Sequence, residues 1–111
     1  MAKEAIKIQE GDVVDYTATG VVANGDIIPL IDRIGVALND AVSGDVISLE
    51  LDGVFEITAT TADTIVFGTV LYFDASTRAV TTTATGNVFA GIAISAKSAT
   101  VAGSVLVKLD R

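Results

Sequence analysis

Cysteine, histidine and tryptophan are absent from the 111 residues, and proline occurs once. Without cysteine there are no disulfides, thiolate metal sites or thiol nucleophiles, so stability must come from packing. Without histidine the commonest general base at neutral pH is missing, and with it the usual partner of a serine nucleophile. Cations are scarce too: seven Lys and Arg against fourteen Asp and Glu give a net charge of −7. They stand singly, at Lys3, Lys7, Arg33, Arg78, Lys97, Lys108 and Arg111. Nucleic-acid affinity depends on clustered cations facing phosphates, so no nucleic-acid partner is expected. No apolar run approaches the roughly 18 residues of a membrane-spanning helix, and no membrane partner is expected either. The N-terminal Met1-Ala2-Lys3-Glu4-Ala5-Ile6-Lys7-Ile8 has no apolar core of the kind a secretory signal carries, which points to a chain that starts in the cytoplasm.

The search for chemistry ends with no catalytic residue, metal site or cofactor expected. No glycine precedes a lysine, so the phosphate-cradling loop of nucleotide hydrolases is missing. Acidic residues such as Glu50 and Glu56 alternate with apolar neighbours, which is the pattern of a solvated strand face, not of a carboxylate pair for glycoside hydrolysis. Asn39, Asp40, Ser43 and Asp45 bring hard oxygen donors together but lack the spacing of a calcium loop, and are read as a polar turn. The threonine-rich segments 58–64 and 81–86 have no regular period and are read as edge strands and loops. Tyr16, Tyr72, Phe55, Phe67, Phe73 and Phe89 are too dispersed for a sugar-stacking platform.

What the chain does have is apolar bulk. Half of its residues are hydrophobic and 19% are charged, with a mean hydropathy of +0.60. For one small domain, whose surface is large relative to its volume, that is an excess, and part of it is expected to meet another subunit. Short β-branched runs with period-two alternation recur along the chain, the signature of an all-β sandwich or barrel. Strands are predicted over 12–17, 26–31, 34–38, 45–51, 54–57, 69–73, 79–83, 88–94 and 104–109, an upper count of nine. Residues 1–10 are read as an N-terminal arm and 11–111 as a single small antiparallel β-barrel domain.

Ile47, Leu49 and Leu51 share one strand face, as do Val105, Val107 and Leu109, and the last strand is expected to pair within the fold. Thr69-Val70-Leu71-Tyr72-Phe73 is apolar on both faces, so Val70, Tyr72 and Phe73 are expected between packed layers or at a subunit interface. Asn24-Gly25 predicts a type I′ hairpin joining 21–23 to 26–30, and Asp52-Gly53 a second tight hairpin. Asp74-Ala75-Ser76-Thr77 predicts a longer reversal, and Pro29, which lacks an amide hydrogen, belongs at an edge or bulge. Two series run in parallel through the chain: segments 25–30, 34–38 and 44–52, then 68–73, 90–94 and 103–110. They suggest an internal duplication forming a pseudo-twofold barrel with 73–88 as an extra hairpin, although composition alone repeats such Gly-apolar strings.

The ordered set Gly35-Val36-Ala37, Gly44-Asp45, Gly53-Val54-Phe55-Glu56-Ile57, Gly68 with Leu71-Tyr72-Phe73-Asp74, Gly91-Ile92-Ala93 and Val105-Leu106-Val107-Lys108-Leu109 resembles a family of small phage head-decoration proteins. Members of that family are often mislabelled as predicted phage recombinases, a label at odds with the acidic charge and the missing phosphate loop. The resemblance runs from Gly11 to Leu109. It departs at Phe73, where Trp commonly follows the Tyr, and at Thr58-Ala59, where Pro-Lys is common.

The resemblance implies a non-enzymatic capsid decoration protein made in the host bacterial cytoplasm and carried on the virion surface. It further implies assembly as a homo-oligomer, a trimer, over the phage major capsid protein. In the arm 2–10, Ile6 and Ile8 share a face and are candidate capsid contacts by strand addition. The competing function is a carbohydrate- or protein-binding β module of a phage tail or adhesin.

Overall fold

The computed structural model describes residues 12–60, 64–97 and 103–109, and these form nine strands and no helix. In chain order they are β1 (Val13–Thr17), β2 (Ile27–Pro29), β3 (Ile34–Ala37), β4 (Val46–Glu50), β5 (Gly53–Ala59), β6 (Val70–Asp74), β7 (Ala79–Thr81), β8 (Val88–Ala93) and β9 (Gly103–Leu109). All nine predicted strands are present. The first four make an open sheet in the order β1-β4-β3-β2, and the other five close into a barrel in the order β5-β7-β6-β8-β9. Every strand pairing is antiparallel except β5 with β7, which meet in parallel through Ala59 and Val80.

The duplication is written into the backbone hydrogen bonds. Ile27 and Ile28 pair with Val36 and Gly35, just as Val70 and Leu71 pair with Ile92 and Gly91. Val36 and Ala37 face Glu50 and Leu49, as Ile92 and Ala93 face Lys108 and Val107. Val14 and Tyr16 oppose Leu49 and Ile47, as Phe55 and Ile57 oppose Val107 and Val105. Strands β1 to β4 therefore correspond to β5, β6, β8 and β9. The connections match as well: Gly25 N–H donates to Ala37 O at 2.8 Å and Gly68 N–H to Ala93 O at 2.7 Å, both glycines holding φ near +95°.

The two repeats do not join into the single pseudo-twofold barrel expected of them. Where repeat one turns from β2 to β3 through residues 30–33, repeat two carries the longer 75–87. That segment supplies β7, which pairs with β6 on one side and β5 on the other. Repeat two closes on itself and repeat one stays open. The interior of a five-stranded barrel is narrow, and Ala59, Ala90 and Ala93 line it beside Leu71, Phe73, Val80, Val105, Val107 and Leu109.

Repeat one docks onto this barrel through β3, all four of whose residues are buried. Ile34 and Val36 join the barrel core, while Ala37, on the opposite face, packs in a smaller core with Ala18, Val22, Ala41 and Ile47. β3 thus lies between packed layers, one of the two places expected for residues 69–73, whereas β6 buries Leu71 and Phe73 in the barrel and turns Val70 and Tyr72 outward. Pro29 sits on edge strand β2, as its missing amide hydrogen requires.

Both predicted Gly hairpins are corrected. Asn24-Gly25 does turn, with Asp26 N–H donating to Ala23 O at 3.0 Å, but Asn24 keeps negative φ and the turn is not type I′. Val22 pairs with Ala41, and β2 makes its hairpin with β3. Gly53 takes φ +118°, yet the turn there carries the chain from the sheet to the barrel, and β4 and β5 do not pair. The 74–78 reversal is present: Asp74 Oδ1 accepts from both the Ser76 amide and its hydroxyl, at 2.9 and 2.7 Å. These donors hold the Asp74 carboxyl below its ordinary pKa.

Gly91 and Gly35 occupy equivalent points of close approach. A Cβ on Gly91 would collide with the Lys108 carbonyl oxygen, which belongs to the backbone of β9, whereas the nearest atoms to a Cβ on Gly35 belong to the buried Leu49 side chain, with its Cγ at 2.6 Å. Gly91→Ala is expected to destabilise the fold by about 3 kcal/mol and Gly35→Ala by about 1 kcal/mol, measured by urea unfolding.

Arg78 holds the repeats together from the β6–β7 turn. It has φ +57°, its guanidinium lies 4.9 Å from the Phe73 ring centroid, and it donates to Ile27 O at 2.8 Å. Arg78→Ala should lose about 1–2 kcal/mol through the charged hydrogen bond and the ring contact. Arg78→Gly should lose less in the same unfolding assay, because glycine relieves the left-handed backbone.

Candidate interaction surface

Few of the polar groups on this molecule are arranged for chemistry. Among the described residues no group of three or more acidic side chains stands together as a metal site. The oxygens of 39–45 serve the turns: Asn39 Oδ1 accepts from Ser48 N–H at 3.1 Å, Asp40 Oδ1 from Asn24 N–H at 2.8 Å, and Asp45 Oδ2 from Val42 N–H at 3.0 Å. Each carboxylate or amide oxygen satisfies a backbone donor that a loop would otherwise leave to water.

Part of the apolar excess surfaces on the outside of the barrel, while Val21, Ile31, Val42, Val46, Val66 and Phe67 are exposed on the open sheet and in turns. Strand register places Val70, Ile92, Lys108 and Val54 in one row across β6, β8, β9 and β5. Val54, Val70 and Ile92 are 51%, 45% and 38% exposed, and Leu106, two positions from Lys108 on the same face of β9, is 40% exposed.

A register shift between Leu71 and Tyr72 continues the row. It makes both Ala90 and Gly91 point inward and brings Phe89 out opposite Tyr72, where the rings meet edge to face at 6.2 Å. Lys108, between Ile92 and Val54, interrupts the apolar row with an exposed ion pair to Asp52 at 3.6 Å. In repeat one the equivalent of Ile92 is Val36, which is 5% exposed because it packs against the barrel. The same face of the same motif is therefore covered in one repeat and bare in the other.

The predicted interface residues separate here. Val70 and Tyr72 lie on the outer face. Phe73 is 1% exposed and fills the barrel core, so its side chain presents nothing to a partner. Period two explains the difference, since Phe73 is in phase with Leu71 and out of phase with Val70. Ile6 and Ile8 lie outside the described residues. Ile92, Leu106 and Val54, which sequence reasoning did not single out, complete the surface. The signal available for them was the outward phase of apolar residues on strands whose other face is also apolar.

The model of the phage cement protein family matches residues 8–109, nearly the whole chain, and the protein belongs to that family. No curated protein and no solved structure matches it. Family membership places the chain among phage structural proteins that stabilise the capsid.

Phe73→Ala should cost about 3–5 kcal/mol of folding stability. Val70→Asp, three residues away on the outer face, should cost no more than about 1 kcal/mol. Thermal or urea unfolding of the two variants checks this division.

Proposed function

We propose that the protein decorates the outside of the assembled phage head as a homo-oligomer, a trimer. There it binds the major capsid protein and braces neighbouring capsid subunits against internal pressure. The observation that carries this reading is the family match over residues 8–109. The apolar side chains of Val54, Val70, Ile92 and Leu106 around Lys108, with Tyr72 and Phe89 beside them, support the oligomeric part, because an apolar face of this kind is stabilised by a second protein surface and not by water.

The work is adhesion without turnover. Many copies on a repeating lattice multiply weak contacts into tight retention, provided each body is stiff enough to engage several capsid subunits together. The closed barrel, with its hydrogen-bonded strands and packed interior, supplies that stiffness. No nucleic acid, membrane, metal or cofactor enters the mechanism.

Purified protein added to expanded, undecorated heads is expected to co-sediment with them saturably and to raise the temperature at which they open. Ile92→Asp should abolish self-association in solution and weaken shell binding while leaving the fold intact. Wild-type protein that stays in the supernatant at micromolar concentration would overturn the reading.

A further inference from the structure

Repeat two shows what the open sheet of repeat one lacks. In the barrel, β7 lies between β6 and β5, antiparallel to the first and parallel to the second, and all three of its residues are buried. The equivalent gap in repeat one, between β2 and β1, is a cleft of about 350 Å³ lined by Tyr16, Thr19, Val22, Ile28, Pro29 and Arg78 among others.

The correspondence reaches individual residues. Thr17-Ala18-Thr19 after Tyr16 repeats Thr58-Ala59-Thr60 after Ile57, and Ala18 and Ala59 are both buried. In repeat two the Thr60 amide donates to Val80 O on β7 at 3.0 Å. Among the described residues no strand stands opposite Thr19 to accept in the same way. Pro29 replaces Tyr72 at the matching point of the other wall and removes a donor there, so main-chain pairing in this cleft has to be made with the β1 side.

We infer that this cleft receives the N-terminal segment 2–10 of a second copy of the chain, laid parallel to β1 in the position that β7 occupies beside β5. The inference rests on the self-association proposed above and adds to the apolar face of the barrel a strand exchange, both of which the oligomer requires. Residues 2–10 span roughly 30 Å when extended, longer than the roughly 17 Å of the five-residue β1 they precede. Ile6 and Ile8 alternate, so one strand face can carry both of their side chains into the cleft, as β7 carries Val80 into the barrel core. Lying parallel to its own β1 would need a crossover of a dozen or more residues, which the segment does not have, whereas a neighbour's segment enters freely from outside.

The test uses engineered thiols in a chain that has none of its own. Ile8→Cys and Thr19→Cys single variants, co-refolded in equal amounts and oxidised, are expected to give a mixed disulfide dimer in excess of either homodimer, and Ile6→Cys serves as a second register. Deleting 2–10 is expected to reduce the native mass to that of a single chain, and a synthetic 1–11 peptide should then bind the truncated protein. An unchanged mass after deletion, or a disulfide that forms only when both cysteines are in one chain, would sink the inference. Binding of the truncated protein to empty heads is measured in parallel. Failure to bind heads with the mass already reduced separates loss of the exchange from failure of the decoration reading. Retained oligomers that no longer bind heads would mean that the segment contacts the capsid instead.

Discussion

The unpaired edges of its β-strands are the constraint on which this molecule depends. Each edge presents donors and acceptors that another strand will satisfy if nothing else does, and the two copies of one motif answer that demand differently. Repeat two inserts β7 and closes, with the parallel contact between Ala59 and Val80 as the seam. Repeat one keeps β1 and β2 as edges, places Pro29 on one of them, and gains its stability by burying β3 on both faces. The division of the core follows: a large cluster inside and beneath the barrel that includes Ile34 and Val36, and a small alanine-rich one on the far side of the open sheet.

Because the repeats share a register, each serves as a control for the other. Val36 and Ile92 occupy the same position of the same motif, yet one is enclosed and the other exposed. Glycine is retained at both 35 and 91, where the neighbouring strand comes too close for a Cβ. The close approach therefore belongs to the motif, whereas exposure belongs to the context in which each copy sits. Arg78 joins the contexts, since it arises from the turn unique to repeat two and binds the carbonyl of Ile27 in repeat one.

Period-two alternation marks β4, β5, β6 and β9, whereas β3 and β7 are buried throughout and were legible as short β-branched runs between turn residues. The extra hairpin of the second half and the edge position of Pro29 were legible for equally local reasons. Sheet membership was not. Asn24-Gly25 and Asp52-Gly53 announce positive φ at the glycine, and both glycines take it, but a dihedral angle does not name the strand that pairs on either side. The most telling repeat, Thr17-Ala18-Thr19 with Thr58-Ala59-Thr60, was hidden because glycine-led segments drew the comparison elsewhere. Of the candidate surface, Val70 and Tyr72 could be read from a strand apolar on both faces. Assigning Phe73 to the inside required knowing which phase closes the barrel.

The place of β9 in the barrel has a consequence for the speed of folding. This strand, spanning Gly103–Leu109, lies between β5 and β8 and is hydrogen-bonded to both, and β5 is distant from it in the chain. The wall is therefore sealed by a pairing whose loop-closure entropy must be met before any contact repays it. Local hairpins such as β2 with β3 bear no such cost, so sealing the barrel is the slow step that they wait for.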